Sequence, residues 1–229
     1  MTLSSALLTE HVAPRLYLLT NDDEFELLYA KLEAALATST IGLLQIRRKQ
    51  ILSCLNGQEK LQAEAVKIVA LAKRYGVPVV INDDITLAAR LGVGVHLGQQ
   101  DGAISEAKQQ LAPNQIIGRT CHGDVALVKE AVQAGATYVA MGAIFASSTK
   151  PNASTITRQQ LIEGCQQTLD KNVDICVIGG LTAENVQQLK GLPLTYVAVV
   201  GDIMDLPVDS IEQRCQTWQQ AFTDWYIPA

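Results

Sequence analysis

No stretch of this 229-residue sequence approaches 18 consecutive apolar residues, none of its five cysteines forms a CxxC pair, and it has only three histidines and no block of like charge. Each shortage removes a class of protein. Without an apolar run of that length no transmembrane helix is expected. An odd set of scattered cysteines (Cys54, Cys121, Cys165, Cys176 and Cys215) writes neither a disulfide framework nor a zinc site. Residues 1–14 lack a basic segment followed by an apolar one, so no secretory signal is expected and a cytoplasmic location is. Lys plus Arg number 18 against 23 Asp plus Glu, a formal charge of −5. A mildly acidic surface without a basic patch attracts neither nucleic acid nor an anionic membrane, so neither is expected as a partner. Seven prolines and 16 glycines are too few for low complexity, and 48% hydrophobic residues suffice for one sizeable core.

What is present is a rhythm. Short runs rich in Val, Ile and Leu recur at 15–20, 42–47, 77–82, 94–98, 116–120, 138–143, 173–180 and 196–202. Most are continuous rather than alternating, as expected of strands buried on both faces of a parallel sheet. Segments with helical spacing fall between them at 25–37, 59–75, 125–134, 158–169, 183–189 and 210–223. Asp124 and Thr182 stand where N-caps belong, and Gly76, Gly135 and Gly191 where helices stop. Eight strands alternating with helices predict an α/β protein, a single-domain (β/α)8 TIM barrel over 15–229 behind an N-terminal arm, 1–14. An open doubly wound sheet is the lesser alternative. The one long connection, 49–57, follows the second strand.

In such a barrel chemistry sits at the carboxyl ends of the strands. Gln45, Arg47 and Lys49 alternate along an extended segment, which predicts one shared face where two cations converge on a phosphate or diphosphate. The competing reading leaves Arg48 and Lys49 as a solvated loop. Asp83 and Asp101 end adjacent strands, and a pair of hard oxygen ligands without paired His or Cys favours Mg²⁺. Asp84 reads as the N-cap of the next helix. The Gly179-Gly180 pair and Val200-Gly201 fall at the seventh and eighth strand ends, where barrels bind phosphate through main-chain N–H groups. Ser147, Ser148, Thr149 and Lys150 offer hydroxyls and a cation in a row. His96 reads as a satisfied core histidine, His122 is ambiguous, Cys121 reads as inert, and no nucleophile pattern is defensible from spacing.

Taken in order, Gln45-x-Arg47-x-Lys49, Asn82-Asp83, His96-Leu97-Gly98-Gln99-x-Asp101, Gly142-x-Ile144-Phe145 leading to Thr149-Lys150, and Ile178-Gly179-Gly180-Leu181 resemble the thiamine phosphate synthases from about Leu16 to Ile203. The resemblance implies a (β/α)8 enzyme, a transferase that joins a pyrimidine diphosphate to a thiazole phosphate, with small phosphorylated molecules as its partners. It implies that Gln45, Ile46, Arg47, Arg48, Lys49, Asn82, Thr120 and Lys150 hold the pyrimidine diphosphate, with Arg47, Lys49 and Lys150 acting on the leaving group. It further implies Mg²⁺ on Asp83 and Asp101, and the thiazole phosphate on Ser147, Ser148, Thr149, Gly180, Val200 and Gly201. Ser147, Thr120 and Gly201 stand where the family usually has Thr, Ser and Ser. The rival readings are a thiazole tautomerase of the same lineage, another phosphate-binding barrel such as a sugar-phosphate isomerase or Schiff-base aldolase, and a non-catalytic sensor of the same phosphates. A homo-oligomer is left open.

Overall fold

A strand that is apolar on both faces must be covered from both sides, and a ring of such strands does this with one layer of helices outside and its own side chains inside. The computed structural model describes residues 13–146, 154–223 and 225. Its strands are β1 (Arg15–Leu19), β2 (Ile41–Ile46), β3 (Val79–Asn82), β4 (Gly94–Leu97), β5 (Ile117–His122), β6 (Tyr138–Met141), β7 (Asp174–Ile178) and β8 (Tyr196–Val199). They pair in sequence order, all parallel, and β8 closes onto β1. Closure leaves no unpaired edge. The expected barrel is therefore the observed one, and each expected strand is present.

The helices are α1 (Phe25–Leu36), α2 (Lys49–Leu52), α3 (Gly57–Arg74), α4 (Ile85–Leu91), α5 (Ile104–Gln110), α6 (Val125–Ala134), α7 (Arg158–Thr168), α8 (Gly201–Met204) and α9 (Val208–Phe222). The long periodic ones match the sequence reading within a few residues. Of the short ones only α4 is signalled, by its cap Asp84, since four to seven residues are too few turns to show a helical period. The connection 49–57 thus contains α2, and the expected helix at 183–189 is a 3₁₀ turn over Val186–Leu189. Asp124 caps α6 by accepting from the Ala126 N–H at 2.8 Å, and Asp84 caps α4 by accepting from the Leu87 N–H at 2.8 Å.

Strand parity separates two cores. Tyr17, Leu19, Leu43, Val80, Tyr138, Ala140, Cys176 and Ala198 fill the barrel, while Leu16, Leu18, Leu44, Ile46, Ile81 and Val95 face the helices. This parity decides which residues at each strand end look into the mouth. Among the described residues, no helix is long and apolar enough to cross a membrane. Of the expected arm only Ala13 and Pro14 lie among the described residues.

Candidate active site at the carboxyl ends of the strands

Gln45 faces inward from β2 and is buried, its amide donating to the Tyr17 hydroxyl. Two residues on, Arg47 shares that parity. The Thr20 hydroxyl accepts from the Arg47 N–H at 2.8 Å and donates to the Arg47 carbonyl at 3.1 Å, tying the ends of β1 and β2 together. The guanidinium itself has no hydrogen-bond acceptor or ion-pair partner among the described residues. Ile46 and Arg48 have the opposite parity. Ile46 is buried in the layer under the helices. Arg48 is 4% exposed, with Nε 2.9 Å from Glu64 and Nη1 donating to the carbonyls of Asn21 and Asp23 at 2.8 and 2.7 Å. Arg48 thus braces the loop through its side chain, and both Ile46 and Arg48 also border the cavity at the mouth. The alternation does not run on to Lys49, which opens α2 and reaches the mouth from there, its ammonium 3.4 Å from the Asp83 carboxylate.

Asp83 follows β3 in the left-handed region, with φ 66°, where Asp is among the few side chains at home. Its N–H donates to the His96 carbonyl at 2.8 Å, and its carboxylate accepts from the Asn82 amide at 2.5 Å. Asp101 lies within hydrogen-bonding reach of it. Desolvation first, and then the Asp83 carboxylate, hold Asp101 above the usual carboxylate range, with Lys49 pulling the other way. Asp84 is spent on its cap and on Gln58 at 2.6 Å, which leaves Asp83 as the carboxylate at the mouth. Lys49, Leu52, Asn82, Asp83, Asp101 and Glu106 are among the residues around a cavity of about 470 Å³. No group of three or more His, Cys, Asp or Glu placed to hold a metal ion exists among the described residues.

On the far side of the mouth, the β7–β8 register sets Ile178 opposite Ala198 and so brings Gly179-Gly180 beside Val200-Gly201. The N–H groups of Gly180 and Gly201 have no acceptor among the described residues. One guanidinium links the two segments: Arg214 donates to Glu184 at 2.6 and 2.8 Å and to Asp202 at 2.9 and 2.6 Å. Trp218 adds a bond to Asp202 at 2.7 Å. Hydrogen bonds from Arg214 hold the Glu184 carboxyl down to about 2, against its ordinary 4.5. A depressed carboxyl stabilises the fold in full above pH 4.5 and loses that contribution as pH falls through about 2. Denaturant midpoints measured between those limits should fall with pH, by a small amount because Glu184 is exposed, and Arg214→Ala should flatten the slope. Ser147, Ser148, Thr149 and Lys150 lie outside the described residues; the preceding chain runs along β7, the Phe145 N–H donating to the Gly179 carbonyl at 2.9 Å.

Thr120 looks inward from β5 and meets Nε2 of His96 at 2.8 Å. The other ring nitrogen meets the Tyr138 hydroxyl at 2.6 Å, so His96 is the satisfied core histidine of the sequence reading. Burial holds its pKa down to about 4. Cys121 points out of the barrel, and burial pushes its thiol up to about 12, well away from a reactive thiolate. The sequence reading missed Tyr17 and Tyr138, whose hydroxyls meet at 2.7 Å inside the barrel. Their signal is a polar tip at an inward position of an otherwise apolar strand.

A barrel that gathers at this end a guanidinium and main-chain N–H groups without partners among the described residues, together with a carboxylate pair, is equipped to handle phosphorylated small molecules. The chain belongs to the thiamine monophosphate synthase family, whose model matches residues 16–203. It is 35% identical over 219 residues to a thiamine-phosphate synthase of Methylobacillus flagellatus, covering 94% of this chain and 100% of that one. With a thiamine-phosphate synthase of Aromatoleum aromaticum it shares 37% over 194 residues, 84% of this chain and 89% of the relative. The solved thiamine phosphate pyrophosphorylase from Pyrococcus furiosus superposes with a TM-score of 0.73 at 21% identity, covering 92% of this chain and 96% of that one. The last match speaks for the fold.

Proposed function

We propose that this protein is a thiamine phosphate synthase, a transferase that condenses an aminopyrimidine methyl diphosphate with a thiazole phosphate to give thiamine phosphate and diphosphate. The observation that carries the reading is that the Asp83–Asp101 carboxylates, with Lys49 beside them, stand at the same end of the barrel as the Arg47 guanidinium, which has no ion-pair partner among the described residues, in a chain of this family. Gln45, Asn82 and Thr120 receive the pyrimidine end, and Arg47, Lys49 and Lys150 its diphosphate. Ser147, Ser148 and Thr149 with the main chain of Gly180, Val200 and Gly201 take the thiazole phosphate.

The carbon–oxygen bond between the pyrimidine methylene and the diphosphate breaks with its electron pair leaving on oxygen. The aminopyrimidine ring bears the positive charge that remains, and the thiazole nitrogen supplies the pair for the new bond. Cations in place before reaction stabilise charge that grows only as the bond breaks, which is where such groups act most strongly. Anchoring the thiazole phosphate on the opposite strand ends turns the capture into a positioned encounter. No residue acts as a nucleophile.

Two neighbouring carboxylates with one lysine beside them carry surplus negative charge, and hard oxygen donors of this kind fit Mg²⁺. Asp83 and Asp101 would hold it. Bound there, the ion neutralises diphosphate charge. A Schiff-base aldolase would need a lysine buried on a strand; the lysine buried among the described residues, Lys31, lies on α1 and is paired with Asp23 at 2.7 Å.

The test is product formation by purified protein given both substrates, with Mg²⁺ and then with chelator. Thiamine phosphate and diphosphate in equal amounts, formed only with the metal, are expected. Thiazole isomerisation without diphosphate release would replace this reading with the tautomerase, and tight binding of both ligands without turnover would replace it with the sensor.

A further inference from the structure

Beneath the mouth a chain of hydrogen bonds crosses the whole barrel, and no step above uses it. The Gln45 amide donates to the Tyr17 hydroxyl, Tyr17 Oη meets Tyr138 Oη at 2.7 Å, Tyr138 Oη meets His96 Nδ1 at 2.6 Å, and His96 Nε2 meets Thr120 Oγ1 at 2.8 Å. Tyr17 and Tyr138 are essentially unexposed, and no buried polar side-chain atom is left without a partner among the described residues. Burial keeps both phenols protonated and the imidazole neutral.

Counting protons sets the direction of this chain. Each phenol has one proton to give, and a neutral imidazole has one N–H. Tyr17 accepts from Gln45, so its own proton goes to Tyr138. Tyr138, having accepted, gives its proton to Nδ1 of His96. The single imidazole proton is then on Nε2 and goes to Thr120. The Thr120 hydroxyl, having accepted from below, turns its own proton upward to the ligand. At the other end Gln45 has committed an N–H downward and keeps its carbonyl oxygen to accept.

We propose that Tyr17, Tyr138 and His96 are positioning residues that set the polarity of the pyrimidine pocket, obliging Thr120 to donate to the ring and Gln45 to accept from it. A ring with an acceptor nitrogen and an exocyclic amino donor fits this pattern. Its oxo counterpart, with a carbonyl in place of the amino group and an N–H in place of the ring acceptor, inverts both and leaves buried groups mispaired. The inference rests on the synthase reading for its substrate, but the polarity is a property of the free protein. Rotating the Gln45 amide by half a turn would reverse every bond and place the imidazole proton on Nδ1, so the tautomer distinguishes the two states.

The first measurement is the ¹⁵N spectrum of histidine-labelled full-length protein at neutral pH. Only His11, His96 and His122 contribute, and His96→Gln identifies its own signals by their loss. A neutral His96 protonated on Nε2 is expected; protonation on Nδ1 overturns the proposal, whatever the enzyme does. The second is the preference for the amino over the oxo pyrimidine diphosphate, as kcat/KM and, for the case where no product forms, as calorimetric binding. Wild type should prefer the amino compound by about 10²-fold or more. Tyr138→Phe, which removes the donor to Nδ1, should lower that preference at least about tenfold, through the KM of the pyrimidine substrate and not that of the thiazole phosphate. His96→Gln, whose amide can still donate to Thr120, should keep more of it than His96→Leu. Loss of stability with the preference intact would reduce the network to a packing feature and overturn the proposal.

Discussion

Arg47→Ala is expected to lower turnover by roughly 10²- to 10³-fold, the range for removing one preorganised donor from a developing negative charge. The reason is the charge itself. Arg47 is held at a strand end by two bonds to the Thr20 hydroxyl, and its guanidinium is not spent on any carboxylate or carbonyl among the described residues. A cation on an anchored main chain and not neutralised by a nearby carboxylate does most when negative charge grows beside it, so the loss should fall on kcat and little on the KM of either substrate. Arg47→Lys should recover part of the rate, since the charge remains but the two-pronged fit to phosphate oxygens is lost. Single-turnover kinetics on folded variants make the measurement. A change in KM alone would reduce Arg47 to ground-state binding. Arg48→Ala is the internal control: its guanidinium holds Glu64 and two carbonyls behind the loop, so that loss should appear in denaturant stability before it appears in rate.

The contrast between these neighbours shows how far the sequence could be read. Continuous Val, Ile and Leu runs mark strands covered on both faces, and once a closed barrel is inferred, the polar residues at the strand ends stand out as one group. Alternation then places Gln45 and Arg47 on one face. It cannot say where the alternation stops. The end of β2 is set by Thr20 and by the capture of Arg48 by Glu64, contacts 27 and 16 residues away in the chain, and nothing in the local pattern announces that Lys49 begins a helix. The carboxylate pair was legible because adjacent strand ends are neighbours in any such barrel. The roles of individual residues came from ordered resemblance to a family, not from spacing.

Of the barrel floor, the sequence showed His96 as a core histidine but not the linked phenols, one of which satisfies it. Tyr17 and Tyr138 are 121 residues apart, and each alone reads as one more aromatic in an apolar strand. Their hydroxyls acquire meaning only when closure brings β1, β4 and β6 around a common axis. Polar tips inside a small barrel are tolerated because they satisfy one another; a single phenol in the same place would bury an unpaired hydroxyl. Such a network must be complete to be stable, which makes its disruption costly.

That cost is testable at Gly118. On β5 a Cβ at this position would overlap Cζ, Cε1 and Oη of Tyr138. The ring has nowhere to move: its hydroxyl is held by Tyr17 at 2.7 Å and His96 at 2.6 Å, and it stacks near the imidazole with centroids 5.6 Å apart. Gly118→Ala is therefore expected to destabilise the fold by about 3 kcal/mol or more, combining overpacking with the loss of a buried hydrogen bond. The same methyl at an exposed strand position would cost almost nothing. A double-mutant cycle isolates the cause. Tyr138→Leu alone should destabilise, by leaving a void and two unpaired partners, but in that background Gly118→Ala should cost less than about 1 kcal/mol, a coupling well above the scatter of independent sites. Denaturant unfolding of the four proteins at constant pH gives the result. Additive losses would mean that the glycine answers to the backbone of β5 rather than to the ring, and that the network has slack the geometry does not show.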